Sequence, residues 1–256
     1  MAKPKVALFK FASCSGCQLV FLNCEEELLD VVGAVDIVYF IEGKRDNLPG
    51  PYDISFVEGS ITTEEEIERL HKIREDSALV VAIGACANGG GLQGMKNFAS
   101  VEEYKRTVYP HPEWIDSLPT SKPIAEYVKV DAALRGCPID KNQLLELVIS
   151  ALAGKSPALR AHSVCVECKL RENICVAVTK EAACLGPVTM AGCGALCPSL
   201  GRGCYGCFGP NDDPNGPSLA RVFASRGMSN EEIVRQFRQY YGDLEPFRKA
   251  VEAYER

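Results

Sequence analysis

The first half of the chain carries short continuous hydrophobic runs, separated by segments in which hydrophobic residues recur every three or four positions. Continuous runs of this length are typical of strands that a parallel sheet buries on both faces, and the recurring positions are typical of helices. The pattern predicts strands at 5–12, 35–41, 52–58, 77–84 and 125–130. It predicts helices at 18–32, 62–75 and 141–153, the second capped by Thr62 or Thr63 and the third ended by Gly154.

Strand and helix alternate along this half, which predicts an α/β fold with a doubly wound parallel sheet of flavodoxin type. Residues 96–123 contain four prolines and are predicted to form an irregular surface segment. Residues 155–210 lose the periodicity and are rich in Cys, Gly and Pro, whereas helical spacing returns from Ser229 to about Tyr254. We therefore expect two domains: a flavodoxin-like domain at 1–154, and a small irregular domain with C-terminal helices at 155–256.

Composition limits the environment and the partners. The 256 residues carry a net charge of −6, which argues against nucleic acid as a partner. No hydrophobic run approaches the length of a membrane span, and the N-terminal segment lacks the features of a secretory or twin-arginine signal. We therefore expect a cytoplasmic protein without a membrane anchor. Thiols stay reduced in the cytoplasm, so the 13 cysteines are expected to bind metal rather than to form disulfides.

Four of these cysteines follow the carboxyl ends of predicted strands: Cys14, Cys17, Cys86 and Cys137. Parallel sheets of this type bind ligands outside the carboxyl ends of their strands. Three separate segments thus bring four thiols to one edge, and we interpret them as the ligands of one cluster. Cys24 lies inside a predicted helix and is interpreted as a small buried hydrophobic residue.

A glycine-rich loop at 89–94 follows Cys86 and formally contains the GxGxxG pattern. The dinucleotide-binding form of this pattern directly follows the first strand and opens a helix, and neither condition is predicted here. Dinucleotide binding remains the minor alternative. The preferred interpretation is that glycines let the backbone approach an inorganic cofactor beside Cys86.

Eight further cysteines fall between residues 162 and 210, with the spacings C-x2-C-x6-C-x8-C and C-x3-C-x6-C-x2-C. Zinc modules usually show paired CxxC elements separated by a dozen or more residues, so the irregular spacing favours iron–sulfur clusters over zinc. Proline follows Cys137 and Cys197, as is common at iron–sulfur ligands, and nearby glycines can supply N–H donors to cluster sulfur. The sequence therefore predicts three [4Fe–4S] clusters, with structural zinc as the alternative.

Several short motifs together resemble the small, electron-transferring subunit of [NiFe] hydrogenases. They are SCSGC at 13–17, GAC at 84–86, GCP at 136–138, CLGPVT at 184–189, and GCYGC at 203–207. The similarity is greatest to the delta subunits of cytoplasmic NAD(P)-linked hydrogenases, also called sulfhydrogenases. Relatives in respiratory complex I carry two adjacent cysteines at the first site, so the CSGC element argues against that branch.

The resemblance implies a ligand set for each cluster. The proximal cluster would be held by Cys14, Cys17, Cys86 and Cys137. The medial cluster would be held by Cys193, Cys197, Cys204 and Cys207. The distal cluster would be held by Cys165, Cys168, Cys175 and Cys184. Exported relatives use a histidine three residues before a cysteine at the distal site, where this chain has His162; four cysteines are the preferred set, and exchange of the fourth ligand between medial and distal clusters stays open.

The resemblance also implies the function. This chain would carry no catalytic residue and would act as the non-nickel subunit of an NAD(P)-linked hydrogen dehydrogenase complex. It would relay electrons between the nickel–iron site of a large subunit and flavin/NAD(P)-binding and iron–sulfur diaphorase-type subunits. A deazaflavin or a heterodisulfide reductase is an alternative acceptor. A free-standing ferredoxin-like carrier and a zinc-stapled interaction module are the alternatives of other classes.

Overall fold

The structure is a computed structural model that describes residues 3–255, with only the backbone of Leu28 described. The chain divides into two compact units between Pro157 and Ala158, a few residues beyond the boundary expected from composition. Unit one comprises the residues up to Pro157, and unit two begins at Ala158.

The described part of unit one contains a single five-stranded sheet in which every neighbouring pair is parallel. Its strands are β1 (Lys5–Lys10), β2 (Asp36–Phe40), β3 (Tyr52–Glu58), β4 (Ser77–Ile83) and β5 (Ala132–Leu134). The spatial order is β2-β1-β3-β4-β5, the flavodoxin-like order in which the direction of winding reverses between β1 and β3. The predicted fold class is therefore confirmed.

Helices connect the strands of unit one. They are α1 (Gly16–Leu22), α2 (Glu26–Ala34), α3 (Glu64–Glu75), α4 (Gly84–Gly89), α5 (Val101–Val108) and α6 (Lys141–Leu152). The helix predicted at 18–32 is interrupted, because the turn before α2 places Glu25 at a positive φ of 46°. The predicted cap of α3 is confirmed at Thr63, whose side chain accepts the Glu66 N–H while the Glu66 carboxylate accepts the Thr63 N–H.

Two sequence predictions in unit one are wrong. The last strand lies at Ala132–Leu134 rather than at 125–130. The chain joins β4 only from Asp131, whose N–H donates to the Val80 carbonyl and whose carboxylate accepts the Val80 N–H. The start of the predicted strand falls in a short 3-10 turn, Ile124–Glu126, in which Ile124 is fully buried. The segment 96–123 is not wholly irregular: it contains α5, which Ser100 caps by accepting the Glu103 N–H.

Unit two has two parts. Its cysteine-rich part holds three short helices, α7 (Val164–Leu170), α8 (Val176–Thr179) and α9 (Leu196–Ser199). Its C-terminal part holds α10 (Gly216–Ser225), which the periodicity did not indicate, followed by the two expected helices α11 (Asn230–Arg238) and α12 (Glu245–Val251).

The three C-terminal helices pack through their aromatic side chains. Phe237 lies between Phe223 and Phe247, with ring centroids 6.2 and 5.6 Å apart, and all three side chains are almost fully buried. These rings supply the apolar area that stabilises this part of unit two. Across residues 3–255, no helix has the length and apolar character needed to cross a membrane.

The ion pair between Asp131 and Arg74 should stabilise unit one. Burial acts to raise the pKa of Asp131, but hydrogen bonds from the Val80 N–H and from Arg74, together with the Arg74 charge, hold the pKa below its usual value. Asp131→Asn removes the charge, at a cost of about 1–3 kcal/mol. We expect a thermal unfolding midpoint several degrees lower at pH 7, since 1 kcal/mol shifts it by about 2–4 °C in a chain of this size.

The pH dependence separates this effect from a packing defect. A lowered folded-state pKa contributes stability above the ordinary aspartate pKa of about 3.9 and loses it as the pH falls through the folded-state value. The gap between wild type and Asp131→Asn should therefore close in acid. A gap that persists in acid, or an equal loss from Asp116→Asn at an exposed position, would contradict this account.

Candidate metal centres

The sheet brings the first four predicted ligands to its carboxyl edge. Cys14 lies in the loop after β1, Cys17 in the first turn of α1, Cys86 in α4 directly after β4, and Cys137 in the loop after β5. The four thiols interact electrostatically: Cys86 and Cys137 act on the pKa of Cys17, and Cys14 acts on the pKa of Cys86 and of Cys137. The structure thus places together the thiols that the sequence grouped.

Burial dominates the ionisation of this site. It raises the pKa of Cys17, with a further increase from the Glu58 carboxylate, and raises the pKa of Cys86 to about 11. The pKa of Cys137 is raised by burial and then by Cys14 and Glu58. These thiols are therefore protonated at neutral pH unless a cation replaces the protons. A coordinating metal deprotonates its thiol ligands outright, so the donor set fits a bound metal cluster.

Glycines shape the wall of this site. Gly84 has a φ of +84°, and a side chain there would collide with the sulfur of Cys17. Gly91 has a φ of +63°, and an added Cβ would lie 2.6 Å from the sulfur of Cys86. The glycine-rich loop thus supplies bare backbone beside a thiol, as the preferred interpretation expected. A 3-10 helix at Leu92–Phe98 follows it, rather than the α-helix that the dinucleotide-binding pattern opens.

A buried carboxylate that sequence reasoning missed supports the CxxC loop. Glu58 is 1% exposed at the end of β3, and its two oxygens accept the backbone N–H groups of Cys17 and Gln18, each at 3.2 Å. Gln18 is equally buried and donates to the carbonyl of Phe9 at 3.0 Å. Burial raises the pKa of Glu58, and the two N–H bonds oppose that rise. The signal in the sequence was an acid closing an otherwise apolar strand.

A half-buried polar side chain, Gln93, reaches the same site from the glycine-rich loop. Gln93 donates through Nε2 to the carbonyl of Ala12 and to the hydroxyl of Ser60, while its Oε1 accepts from the thiol of Cys86 at 3.6 Å. It therefore ties the loop after β1 to the loop after β4. Nothing in the spacing of the neighbouring residues indicates this role.

A second group of thiols lies at α7 and α8 in unit two. Cys165 and Cys168 belong to α7, Cys175 precedes α8, and Cys184 precedes the 3-10 turn Gly186–Val188. Burial, together with the smaller effect of the other three thiols, raises the pKa of Cys165 to about 11. An added Cβ at Gly186 would lie 3.4 and 3.5 Å from the sulfurs of Cys184 and Cys165. The predicted distal set is thus brought together.

The remaining four thiols interact as two pairs. Burial raises the pKa of Cys193, and the nearby Cys197 thiol adds to the increase. Burial likewise raises the pKa of Cys204, and Cys184 and Cys207 add to that increase. The Cys204 N–H also donates to the sulfur of Cys184 at 3.2 Å. Cys204 therefore touches a thiol of the predicted distal set, and the division into medial and distal ligands stays a prediction.

Glu167 is a buried carboxylate that accepts a backbone N–H beside the cysteines of unit two, as Glu58 does in unit one. It is 3% exposed on α7, accepts the N–H of Gly192 at 3.2 Å, and pairs with Arg160. It therefore connects the helix that carries Cys165 and Cys168 to the turn before Cys193. Nothing in the sequence indicates this role, because Glu167 stands at an ordinary helix position.

Two other sequence candidates lie apart from these groups. Cys24 is 2% exposed, and its thiol donates to the carbonyl of Val20 in the preceding turn, which agrees with a buried hydrophobic role. His162 is exposed, with Nδ1 3.2 Å from the carbonyl oxygen of Ser163. Within residues 3–255, no three His, Cys, Asp or Glu side chains converge closely enough to hold one metal ion. Cysteines that bind separate irons of a cluster need not converge in this way.

Residues 14–151 match the family model described as NADH ubiquinone oxidoreductase, 20 Kd subunit. This region is more than half of the chain and contains all four thiols of the first site. The chain belongs to this family.

Relatives with hydrogenase names cover nearly the whole chain. Sulfhydrogenase 2 subunit delta of Pyrococcus furiosus is 37% identical over 92% of this chain and 98% of its own length. A vhu F420-non-reducing hydrogenase subunit of Methanocaldococcus jannaschii is 34% identical over 90% of each chain. An F420-non-reducing hydrogenase iron-sulfur subunit of Archaeoglobus profundus is 26% identical over 90% of this chain and 89% of its own.

The fold is also similar to that of a chain in a solved hydrogenase structure. The crystal structure of an NAD+-reducing [NiFe]-hydrogenase in the H2-reduced state contains a chain that is 28% identical to this one. The match covers 62% of this chain and 96% of that chain, with a TM-score of 0.58.

The role of Glu58 can be tested at the loop it supports. Glu58→Ala leaves the N–H groups of Cys17 and Gln18 without their buried acceptor, at a cost of about 1–3 kcal/mol for each. We expect faster hydrogen exchange in peptides that span Cys14–Leu22. Glu42→Ala is the matched control, because Glu42 accepts from the Ser15 hydroxyl of the same loop at 3.1 Å but is exposed. Equal exchange rates in the two variants would contradict the proposed support.

Proposed function

We propose that this chain is the electron-transferring small subunit of a soluble cytoplasmic [NiFe] hydrogenase. It would relay electrons between the nickel–iron site of a large subunit and a flavin/NAD(P)-reducing module. The observation that carries the proposal is the set of four thiols that three segments of a flavodoxin-like sheet place at one edge. The names of the relatives agree with a hydrogenase subunit.

The ligand assignment follows the resemblance of the sequence motifs to hydrogenase small subunits. Three [4Fe–4S] clusters are proposed, and each would accept and donate one electron when bound. Cys14, Cys17, Cys86 and Cys137 would hold the proximal cluster in the domain at 1–154. Cys165, Cys168, Cys175 and Cys184 would hold the distal cluster, and Cys193, Cys197, Cys204 and Cys207 the medial cluster, in the domain at 155–256.

The side chains of this chain bind and position, and the bond-breaking chemistry belongs to a partner. Burial of Cys17 and Cys204 excludes water from their sulfur atoms and raises the pKa of both thiols, so their unmetallated form is neutral. Glu58 and Glu167 hold the backbone around the thiols in each unit. No catalytic side chain is assigned to this chain.

The electron acceptor has a second candidate. Two of the relatives are named as F420-non-reducing hydrogenase subunits, whereas the solved structure is an NAD+-reducing enzyme. A complex that delivers electrons to a deazaflavin or a heterodisulfide reductase, rather than to a nicotinamide nucleotide through a flavin, is the alternative. The subunits that bind the acceptor would decide between them.

Metal analysis tests the proposal directly. A tagged chain, purified without oxygen from cells that make the whole complex, should be brown and contain about 12 iron and 12 acid-labile sulfide per chain. A nickel-containing chain should copurify with it. A colourless preparation that contains zinc would overturn the proposal in favour of a zinc-stapled module, and a brown chain that copurifies with no nickel subunit would favour a free-standing carrier.

Serine substitutions test the ligand set. Cys137→Ser should lower the iron content by up to about four atoms per chain and abolish hydrogen-driven reduction of the acceptor. Cys24→Ser is the matched control, because Cys24 is a buried cysteine of the same unit outside the thiol group, and both iron and activity should be retained. If Cys24→Ser lost iron and Cys137→Ser did not, the proximal assignment would be wrong.

A further inference from the structure

The cysteine-rich part of unit two exposes large aliphatic side chains to an unusual degree. Four of them are between 72% and 77% exposed: Leu170, Ile174, Val178 and Leu200; Leu196 is 58% exposed. Single exposed apolar side chains are ordinary on protein surfaces, but a group of this kind marks a surface that another molecule covers. We call these five residues the apolar face.

Hydrogen bonds join the two segments that carry this face. The Asn173 side chain donates to the Ser199 hydroxyl at 2.8 Å, and the Lys180 ammonium donates to the carbonyl of Gly201 at 3.2 Å. The first bond joins the residue before Ile174 to the residue before Leu200. The apolar side chains of residues 170–178 and of residues 196–200 therefore belong to one region of unit two.

The apolar face adjoins two of the proposed cluster ligands. Ile174 directly precedes Cys175, which is assigned to the distal cluster, and Leu196 directly precedes Cys197, which is assigned to the medial cluster. Both cysteines are partly exposed. A protein that covers this face would thus approach the two clusters of unit two.

Charge around the face indicates the chemistry of its partner. From residue 168 to residue 205 the chain has four basic residues and two acidic ones, although the whole chain has a net charge of −6. The basic residues, all exposed, are Lys169, Arg171, Lys180 and Arg202. A mainly basic rim around an apolar centre is complementary to a protein with an apolar patch and an acidic rim.

We infer that the apolar face and its basic rim dock the electron-accepting subunit of the complex, through an apolar patch with an acidic rim on that subunit. The inference rests on the proposed function, because it takes the thiols beside the face to be cluster ligands. Electrons would then leave unit two at the surface that the five residues of the apolar face form.

Substitution of the face in the whole complex tests the inference. The variant combines Leu170→Ser with Leu200→Ser, two exposed changes that should leave the fold and the iron content intact. We expect the dissociation constant of the flavin-containing subunit to rise about tenfold or more, which corresponds to about 1.4 kcal/mol of binding free energy, and flavin per chain in the purified complex to fall. Nickel content and hydrogen-driven reduction of methyl viologen should be retained. Ile149→Ser, at a 62% exposed residue of α6, is the matched control and should keep all of these properties.

The other occupants of the face give different results. Loss of nickel with flavin retained would assign the face to the large subunit, and a wild-type dimer that dissociates in the variant with unchanged flavin would assign it to a second copy; either overturns the inference. If the variant complex keeps both its nickel and its flavin, the inference is overturned and the proposed function still stands. A wild-type preparation without nickel and iron overturns the proposed function and the inference with it.

A charge reversal tests the acidic rim. Arg202→Glu should lower the salt concentration at which the flavin-containing subunit dissociates during anaerobic gel filtration, because it places a like charge against the partner. Arg226→Glu, at an exposed residue at the end of α10, is the control and should leave that concentration unchanged. Identical salt profiles for wild type and Arg202→Glu would contradict an acidic partner surface.

Discussion

The alignment of strand ends in the parallel sheet is the constraint on which the first site depends. Lys10 pairs with Glu58, Glu58 with Ile83, and Ile83 with Leu134, so four strands end in one row. Each chain segment that leaves this row enters the same space within a few residues. The reversal of winding between β1 and β3 opens a crevice there, in which flavodoxin-like proteins place their ligands. Thiols from three segments lie close together because the register of the sheet places the ends of all their strands at the same edge.

The two units depend on their cysteines to different degrees. Unit one has an apolar core that includes Phe9, Val57, Leu70 and Val80 and lies within and beside the sheet, so its thiols are additions to a fold that stands on other contacts. The cysteine-rich part of unit two has helices of only four to seven residues, and several of its cysteines are themselves buried. Segments with so little regular structure are commonly stabilised by the metal that they bind. The folded structure of this part therefore depends on its cysteines more than the folded structure of the sheet does.

Sequence reasoning located the features that local pattern determines and missed those that distant contacts determine. Buried strands, the Thr63 cap and the thiols after strand ends follow from periodicity and spacing, and the structure has them. The position of β5 depends on the bonds between Asp131 and Val80, which are far apart in the sequence. Glu58 and Glu167 belong to the same class. An acid in a strand or helix reads as a solvated residue until the fold shows which backbone N–H groups it accepts.

These two buried carboxylates have a consequence for the proposed clusters. Each accepts N–H groups from the backbone beside cysteines, which satisfies donors that burial would otherwise leave without partners. Each also places an acid where a proposed cluster with four thiolates would carry negative charge. An ionised carboxylate nearby opposes the addition of an electron, because like charges repel more strongly where water is excluded. Glu58 interacts with three thiols of the first site, and Glu167 pairs with Arg160, whose positive charge offsets its own. The Glu58 carboxylate would therefore oppose reduction of the proposed proximal cluster, and burial limits this effect because it raises the pKa of Glu58.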